Sequence, residues 1–346
     1  MKALIYDQPG DLDALQFRDV PDPEPAPRDV VVRVAATTIN HLDVTQRKGW
    51  FAMPGFSLPH IAGMDIAGTV ETVGSAVSGV QVGERVLVDP SLAEVPAESK
   101  LAGKGDLYGD LGILGATADG GYAELCLVPE THLHRIPEWM SWHQAVMFPT
   151  AWMTSHHALF DVGGLREGET LMLHAAGSGV SMAAIQWAKA RGATVLGTAG
   201  SAEKCRKAEA LGADYTCNNR ETDVAAWARE VTGGRGVDMV FDHVGEALWA
   251  ASLFSLRPRG RLVNVGGTSG NTPTIPSLGF FYHMGLRIIG SDPWRYEEFA
   301  PAWAEYCANA GRFEAVVDSV YPLAEAGAAQ EKLLSGNFFG KIIIDV

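Results

Sequence analysis

Short apolar runs alternate with amphipathic stretches through the middle of the chain. The pattern is clearest over residues 170–204. There an apolar run at 171–173 leads into a glycine turn and then into a segment with apolar positions at helical spacing. That segment ends near Arg191-Gly192, and a second strand-like run covers 194–198. Strand, glycine turn, helix and strand together predict a βαβ unit built on buried parallel strands.

The same alternation continues toward the C-terminus. Residues 237–242 and 261–265 are predicted as further strands, and residues 287–291 as the last strand, at the edge of the sheet. A long apolar edge strand favours pairing with another chain. Glycine and polar residues follow the predicted strands, and open parallel sheets bind ligands at these carboxyl ends.

The first 130 or so residues have a pattern that is typical of β-structure. Runs at 30–34, 68–73 and 85–88 are apolar or alternating, with turn residues between them. Strand-like segments return at 317–321 and 341–346, with a helix between them. The predicted division is a β-rich domain over 1–130, a dinucleotide-binding domain over 131–292 and a return to the first domain over 293–346.

The glycine turn predicts a pyrophosphate site. Gly177 and Gly179 carry no Cβ, so the backbone can approach a ligand closely, and the N–H groups at the start of the helix face its phosphates. The turn departs from G-x-G-x-x-G, because Ala175 stands at the first glycine and Met182 near the third. The alternative is an ordinary strand-to-helix turn.

The residues after the second strand favour NADP(H) over NAD. An NAD site usually has an acidic residue there to bind the ribose, whereas this chain has Gly200 and Ser201, with Lys204 one helical turn further on. A small uncharged pocket beside a cation suits a 2′-phosphate. Ser201 is equally suited to capping a helix and Lys204 to a solvated face, while Glu203 argues for NAD unless it faces solvent.

Composition limits the function classes. The formal net charge is −14, which disfavours a nucleic-acid partner, and no run approaches the ~20 apolar residues of a membrane span. The N-terminus enters a strand pattern directly and does not resemble a signal peptide. Four scattered cysteines form no metal-binding framework and are typical of a reducing compartment, so we expect a cytoplasmic protein.

Several motifs occur in an order and spacing that resemble the medium-chain dehydrogenase/reductase superfamily over nearly the whole chain. They are Asn40-His41-Leu42-Asp43, Pro59-His60-Ile61-Ala62-Gly63-Met64-Asp65, Gly121-Tyr122-Ala123-Glu124, the glycine turn, Leu211-Gly212-Ala213-Asp214 and Phe339-Gly340-Lys341. The resemblance implies an α/β fold with a Rossmann doubly wound parallel sheet and a GroES-like β-rich catalytic domain. It also implies a homodimer that joins through the edge strand near Ile288.

The departures from the family pattern predict that no metal is bound. Where zinc alcohol dehydrogenases of the family have cysteine, histidine and glutamate, this chain has Asn40, Met64 and Asp65. An amide and a thioether are poor zinc ligands. Residues 90–119, which correspond to the lobe with a structural zinc, contain no cysteine. His41 and His60 remain, but lone histidines near turns more often make hydrogen bonds. The resemblance therefore points to the zinc-independent, quinone oxidoreductase-like branch.

That branch implies hydride transfer from NADPH to a quinone or an α,β-unsaturated carbonyl compound. Asn40 is expected to donate an amide N–H to the substrate oxygen. Thr45, where many quinone reductases have tyrosine, is a second donor candidate. Asp43 is expected to orient groups near the nicotinamide, or to serve as a structural cap. Thr154 is expected to contact the nicotinamide or its ribose, or to bond to its own helix backbone.

The resemblance also implies a set of cofactor-binding residues. They are Ala176, Gly177, Ser178, Gly179, Val180, Gly200, Ser201, Lys204, Asn219, Val244, Val265, Gly266, Gly267, Phe339 and Lys341. Lys341 is also compatible with a surface position. Two other functions stay open at this stage. One is a zinc-type alcohol dehydrogenase with atypical ligands, and the other is an NADPH-binding protein with little catalytic activity.

Overall fold

The computed structural model describes residues 1–104 and 112–346, and the chain divides into two compact units. Unit 1 comprises Met1–Thr150, Trp294–Glu305 and Ala315–Val346, and unit 2 comprises Ala151–Pro293 and Tyr306–Glu314. This division places residues 131–150 in unit 1, whereas the sequence pattern assigned them to the second domain. The reason is that residues 133–135 form a strand of the first unit's sheet.

Unit 1 contains most of the short strands. Its elements up to residue 150 are β1 (Lys2–Tyr6), β2 (Gln16–Asp19), β3 (Asp29–Thr38), α1 (His41–Arg47), β4 (His60–Ile61), β5 (Ile66–Val73), β6 (Arg85–Val88), β7 (Leu125–Pro129), β8 (Leu133–Arg135) and α2 (Trp142–Val146). The predicted runs at 30–34, 68–73 and 85–88 all lie in strands. The predicted loop at 90–119 is described only in part, and residues 105–111 lie outside the described residues.

Unit 2 follows with alternating strands and helices. Its elements are α3 (Met153–His156), β9 (Thr170–Leu173), α4 (Gly179–Ala190), β10 (Thr194–Ala199), α5 (Ala202–Ala210), β11 (Tyr215–Asn218), α6 (Val224–Val231), β12 (Val237–Asp242), α7 (Trp249–Ser255), β13 (Leu256–Asn264), α8 (Leu278–His283) and β14 (Arg287–Gly290). The chain ends with α9 (Tyr296–Asn309), β15 (Val317–Pro322), α10 (Ala326–Leu334) and β16 (Lys341–Asp345).

Unit 1 contains two sheets, and β3 lies in the larger one. A seven-stranded sheet has the order β15-β16-β3-β5-β6-β8, with β7 also paired to β3, and a three-stranded sheet has the order β2-β1-β4. β16 and β5 run antiparallel to β3 on either side of it. The C-terminal end of β3 is therefore flanked by the N-terminal ends of β5 and β16, although these strands begin only at residues 66 and 341.

Unit 2 has a six-stranded sheet in the order β11-β10-β9-β12-β13-β14, and every neighbouring pair is parallel. The central strands β9 and β12 are buried along their whole length, as expected for a parallel sheet covered on both faces. β14 is at one edge, as the sequence predicted. None of the helices in the described ranges is long and apolar enough to cross a membrane.

The helix after the glycine turn shows why this segment folds as predicted. Ser178 caps α4, because its Oγ accepts a hydrogen bond from the backbone N–H of Ser181. Apolar side chains from Met182 to Ala188 are buried, and the Trp187 indole donates to the Trp152 carbonyl at 3.1 Å. The chain leaves the helix at Gly192, whose φ of 76° is accessible to glycine without strain.

Candidate active site

Three polar side chains meet at the C-terminal end of β3. Asn40 follows β3 and precedes α1, Asp65 precedes β5, and Lys341 begins β16. The antiparallel pairing of β5 and β16 with β3 brings these positions together, with Thr37 opposite Ile66 and Thr38 opposite Ile343. The sheet register therefore assembles the cluster from distant parts of the sequence.

A buried ammonium holds the side chain of Asn40. Lys341 is 5% exposed, and its Nζ donates to Asn40 Oδ1 at 2.7 Å, to the Ile39 carbonyl at 3.3 Å and to Asp65 Oδ2 at 3.3 Å. Asn40 Nδ2 in turn donates to Asp65 Oδ2 at 2.8 Å. The amide orientation is thereby fixed, because its oxygen faces a cation and its nitrogen faces a carboxylate. Lys341 is buried, so the alternative of a surface cation is wrong.

Asp65 is the centre of this network. It is fully buried, and besides Asn40 and Lys341 it accepts hydrogen bonds from the Thr38 hydroxyl and from Thr150, through the backbone N–H at 2.8 Å and the hydroxyl at 2.5 Å. A buried carboxylate is tolerated only when it is paired and hydrogen-bonded in this way. The sequence comparison identified Asp65 only as a departure from a family glutamate.

Asp43 contacts the backbone of Asn40. Its Oδ2 accepts hydrogen bonds from the Asn40 backbone N–H and from the Tyr122 hydroxyl, both at 2.7 Å, while its Oδ1 is buried without a partner among the described residues. Burial raises the pKa of Asp43 to about 6, against the opposing effect of these hydrogen bonds. The geometry is that of a helix cap. The predicted role of Asp43 in orienting groups near the nicotinamide stays a prediction.

Tyr122 reaches this position because the backbone beside it is glycine. A Cβ on Gly63 would lie 2.5 Å from a ring carbon of Tyr122, and Gly63 has a φ of 100°. Thr45, the second predicted donor, has its hydroxyl directed to the Leu42 carbonyl at 3.1 Å within α1. A hydroxyl has one hydrogen, so Thr45 would have to give up this bond before it could donate to a substrate.

The glycine turn in unit 2 differs in one respect from its prediction. Ala175 has the left-handed backbone conformation, with a φ of 46°, and neither Gly177 nor Gly179, both of which are described, has a positive φ. Two backbone hydrogen bonds stabilise the turn, from Ala176 N–H to the Thr198 carbonyl and from Ser178 N–H to the Ala175 carbonyl. The backbone N–H groups of Gly179 and Val180, at the start of α4, have no partner among the described residues.

His243 links the glycine turn to the end of β12. Its Nε2 lies 3.0 Å from Ser178 Oγ and 2.9 Å from Ser181 Oγ. Next to it, Asp242 accepts hydrogen bonds from the backbone N–H groups of Val244 and Gly245. The carboxyl ends of neighbouring strands are thus connected by side chains, which fixes the edge of the sheet where ligands of this fold bind.

The end of β10 carries the predicted 2′-phosphate residues and one that the sequence did not indicate. Ser201 Oγ accepts a hydrogen bond from the Lys204 backbone N–H at 3.3 Å, so Ser201 does cap α5. Glu203 is exposed and pairs with Lys207 at 2.8 Å. A Cβ built on Gly200 would lie 3.2 Å from Nε of Arg220, so a guanidinium stands directly beside this turn.

The other predicted cofactor-binding residues lie in both units. In unit 2, Val265 N–H donates to the Asp242 carbonyl at 2.8 Å, and a Cβ on Gly267 would lie 2.2 Å from Asn271 Oδ1. Asn219 N–H donates to the Ala199 carbonyl, and Asn219 Oδ1 is buried without a donor among the described residues. The remaining members are Val244 and Gly266 at the ends of β12 and β13 in unit 2, and Phe339 in unit 1.

Thr154 and Phe339 are two further residues that were predicted to contact the coenzyme. Thr154 lies in α3 and is half-buried, and its hydroxyl has no hydrogen-bond partner within the described ranges, so it does not bond to its own helix. Phe339 is buried in unit 1, where its backbone N–H donates to Asp318 Oδ1 at 2.9 Å. Contact of either residue with a coenzyme stays a prediction.

Sequence reasoning missed Asp65, Tyr122 and Arg220 as members of these sites. Asp65 and Tyr122 stand inside motifs that were recognised, and the available signal was that each is a polar residue close to a glycine, Gly63 and Gly121 respectively. Arg220 follows β11, whose carboxyl end lies beside that of β10 in a parallel sheet, so its proximity to Gly200 follows from topology. Its distance along the chain from Gly200 concealed it.

Known proteins resemble the chain in both units. A family model described as an alcohol dehydrogenase GroES-like domain matches residues 26–138, and one described as a zinc-binding dehydrogenase matches residues 179–308. A quinone oxidoreductase of Pseudomonas aeruginosa is 33% identical over 326 residues, which cover 94% of this chain and 89% of the relative.

Solved structures agree over the full length. An NAD-dependent alcohol dehydrogenase has a TM-score of 0.91 and 35% identity, and the Escherichia coli quinone oxidoreductase complexed with NADPH has a TM-score of 0.85 and 28% identity. Both matches cover 100% of this chain and of the other chain. Together with the fold, they define an NAD(P)-dependent oxidoreductase.

The chain belongs to the medium-chain dehydrogenase/reductase superfamily, in its quinone oxidoreductase-like branch. The predicted resemblance and the predicted fold class, a Rossmann sheet with a GroES-like domain, are both confirmed.

Proposed function

We propose that this protein transfers a hydride from NADPH to a quinone or an α,β-unsaturated carbonyl compound, and that it does so without zinc. The observation that carries the proposal is the contact between the Lys341 ammonium and Asn40 Oδ1. A fixed cation already lies on the oxygen of Asn40, which stands where a zinc ligand stands in related alcohol dehydrogenases.

The residues present do not fit a catalytic zinc. Zinc in such sites is held by thiolate, imidazole and carboxylate groups. The amide oxygen of Asn40 accepts from an ammonium, and Met64 offers a buried thioether. A zinc ion beside Asn40 would also be close to the positive charge of Lys341 in a region of low dielectric. The family model that matches unit 2 is named for zinc binding, and the donor atoms of this chain argue against that function here.

The residues of unit 2 do fit a nicotinamide coenzyme with a 2′-phosphate. The N–H groups of Gly179 and Val180, which have no partner in the described parts of the chain, suit the pyrophosphate, since the positive end of the helix dipole also lies there. Arg220 is a cation beside Gly200, and Lys204 lies in the first turn of α5, which Ser201 caps. The acidic residue of that turn, Glu203, is exposed and pairs with Lys207. The unpaired Oδ1 of Asn219 would accept an N–H or O–H group of the bound nucleotide.

Asn40 is the proposed catalytic donor. The reduced coenzyme, when bound, supplies the hydride. One N–H of Asn40 is used by Asp65, which leaves the second N–H to donate to a substrate oxygen. Negative charge develops on that oxygen as an enolate forms, and a preorganised donor of this kind contributes roughly 10²- to 10³-fold to the rate. Solvent water is proposed to supply the proton that completes the reduction.

Lys341 and Asp65 are proposed to act as positioning residues for Asn40. They fix the orientation of the Asn40 amide, so that its N–H group faces the substrate oxygen. If the amide were flipped, its oxygen would face the substrate oxygen and could not donate a hydrogen bond. Because all three groups are buried or half-buried, their interactions are weakly screened by solvent. The cation therefore organises the donor and is not itself the donor.

Turnover measurements on Asn40 variants test this function. Asn40→Ala should lower kcat with quinones or enones by about 10²-fold, and the Kd for NADPH should change little, because the lost donor acts mainly on the transition state. A Thr45→Val variant serves as the comparison, since its hydroxyl is already bonded to Leu42. Unchanged kcat in Asn40→Ala would remove Asn40 from the reaction.

The two alternatives predict different results. A zinc-type alcohol dehydrogenase would oxidise alcohols and would lose that activity after chelation. An NADPH-binding protein with little catalysis would bind the coenzyme tightly and reduce none of the quinones, enones or enoyl thioesters offered. We also propose a cytoplasmic homodimer joined through β14, whose Ile288 and Ile289 are half-buried at the edge of the sheet.

A further inference from the structure

A cavity at the N-terminal ends of strands in the unit 2 sheet is lined by arginine side chains. It has a volume of about 380 Å³, and its charged lining residues are Arg166, Arg257, Arg261, Arg287, Asp161 and Glu169. Arg257 is the second residue of β13, Arg261 pairs with Arg287 in the sheet register, and Arg287 is the first residue of β14. The cavity is therefore at the end of the sheet opposite the strand ends that carry the glycine turn and Gly200.

One arginine forms the fixed floor of this cavity. Arg261 is 5% exposed, and its guanidinium bonds to the Gly163 and Gly164 carbonyls and to both carboxylate oxygens of Glu169, at 3.1 and 2.6 Å. Its donors are used within the protein. The ion pair holds the walls in place and neutralises Glu169, so neither residue is needed to bind a ligand.

The other arginines of the cavity have N–H groups that are not hydrogen-bonded within the described residues. Arg257 bonds to Asp238 through Nε and to the Pro258 carbonyl through Nη1, which leaves its Nη2 without an acceptor in the described parts of the chain. The guanidinium groups of Arg166 and Arg287 have no acidic partner there either. The lining residues together carry two more positive than negative charges, in a chain whose formal net charge is −14.

We propose that this cavity binds a small molecule through a phosphate or diphosphate group, at a site separate from the coenzyme site. Guanidinium groups match the geometry of phosphate oxygens with paired N–H donors, and three arginines besides Arg261 line this one cavity. The volume is at the lower end of the range for small-molecule sites, which fits a phosphorylated metabolite.

The local charges also explain why an anion of charge two or more is expected. Asp238 pairs with both Arg235 and Arg257, at 2.9 Å for the first of these pairs, so its single negative charge offsets only one of the two cations. Asp161 lies within 3.5 Å of His156 Nδ1. With Arg261 paired to Glu169, the positive charge of Arg166, Arg257 and Arg287 exceeds the negative charge of Asp161 and the shared Asp238, and a diphosphate would supply the missing negative charge. This inference does not depend on the proposed hydride transfer.

Calorimetric titration of the full chain with inorganic pyrophosphate tests the site. Saturating NADPH is present throughout, so that the glycine turn is occupied. Pyrophosphate should bind to the wild type. The variant Arg166→Gln/Arg287→Gln should bind at least about 10-fold more weakly, because two charge-assisted contacts are lost. The charge-matched control Arg206→Gln/Arg312→Gln removes two exposed arginines of unit 2 outside the cavity and should bind as the wild type does.

Other results would overturn the proposal. These are no binding in the presence of NADPH, equal weakening in the cavity variant and its control, or citrate binding as tightly as pyrophosphate. Arg287→Lys gives a second readout, since it retains the charge and the fold but loses the paired donors. It should weaken pyrophosphate by less than Arg287→Gln does, and an equal loss would contradict a charge-based site.

Discussion

Replacing Lys341 by methionine removes the buried cation that contacts both Asn40 and Asp65 in unit 1. Methionine keeps most of the side-chain length, so the change is chiefly the loss of the ammonium. Asn40 Oδ1 loses its 2.7 Å partner, and the fully buried Asp65 loses its only cationic neighbour among the described residues. Removing one partner of a buried ion pair typically costs about 3–5 kcal/mol of unfolding free energy.

The expected loss can be separated from a general packing defect by a double-mutant cycle. Asp65→Asn alone strands a buried ammonium, and Lys341→Met alone strands a buried carboxylate. The double variant strands neither, so its unfolding free energy should exceed the additive expectation by about 2–3 kcal/mol. Urea unfolding at neutral pH measures all four corners of the cycle.

A surface pair provides the control. Lys332 lies 3.5 Å from Asp318 in the C-terminal part of the same unit, and its side chain is 31% exposed. Lys332→Met should cost less than about 1 kcal/mol, as is usual for exposed ion pairs. If Lys341→Met costs no more than this control, the buried cluster does not have the energetic role described for it.

Kinetics of Lys341→Met distinguish a positioning role from direct contact with the coenzyme. A positioning role predicts a fall in kcat of about 10- to 100-fold, equivalent to about 1.4–2.8 kcal/mol of barrier, with little change in the Kd for NADPH. Direct contact, which the family resemblance implies for Lys341, predicts a weaker Kd with kcat largely retained. A raised Kd with unchanged kcat would refute the positioning argument.

Three further outcomes are expected. Lys204→Ala should weaken NADPH binding by about 10- to 100-fold and NADH binding hardly at all, because charge-assisted phosphate bonds contribute about 1.5–3 kcal/mol. Lys207→Ala on the same helix should change the binding of neither coenzyme. Equal losses of NADPH and NADH binding would contradict the 2′-phosphate assignment. The pKa of Asp43 is raised from 3.8 to about 6, so its protonated form stabilises the fold below pH 4. That contribution, about 3 kcal/mol, is lost as the pH rises through 6; Asp43→Asn should abolish this part of the pH dependence of unfolding, and an unchanged profile would contradict it. Replacing Ile288 and Ile289 by lysine should yield monomers in sedimentation experiments, and a persistent dimer would place the interface elsewhere.

Periodicity and glycine placement predicted the parts of the fold that depend on local sequence. The strands at 85–88 and 237–242 were located to the residue, because an apolar run bounded by turn residues defines both ends. The boundary between the units was harder to predict from the sequence. Residues 133–135 join the first sheet by pairing with β6, and a three-residue strand leaves almost no signal in the sequence.

The sequence predicted which kind of donor the candidate site contains, but not which side chains contact that donor. Asn40 was identified from a departure at a ligand position, yet its partners Asp65 and Lys341 are 25 and 301 residues away. Only the register of β5 and β16 on β3 brings these side chains together. Ala175 illustrates a similar limit, since its positive φ arises from the turn as a whole and the residue type favours no such conformation.

The most direct test of the central claim is to follow deuterium from the coenzyme into the product with enzyme freed of metal. NADPH carrying deuterium at the transferable position is mixed with chelator-treated protein and an α,β-unsaturated ketone, and mass spectrometry locates the label. We predict deuterium at the β-carbon, at an undiminished rate, from protein whose zinc content is negligible, and faster transfer from NADPH than from NADH. Transfer that appears only when zinc is restored, or label found on the carbinol carbon of an alcohol product, would contradict the account.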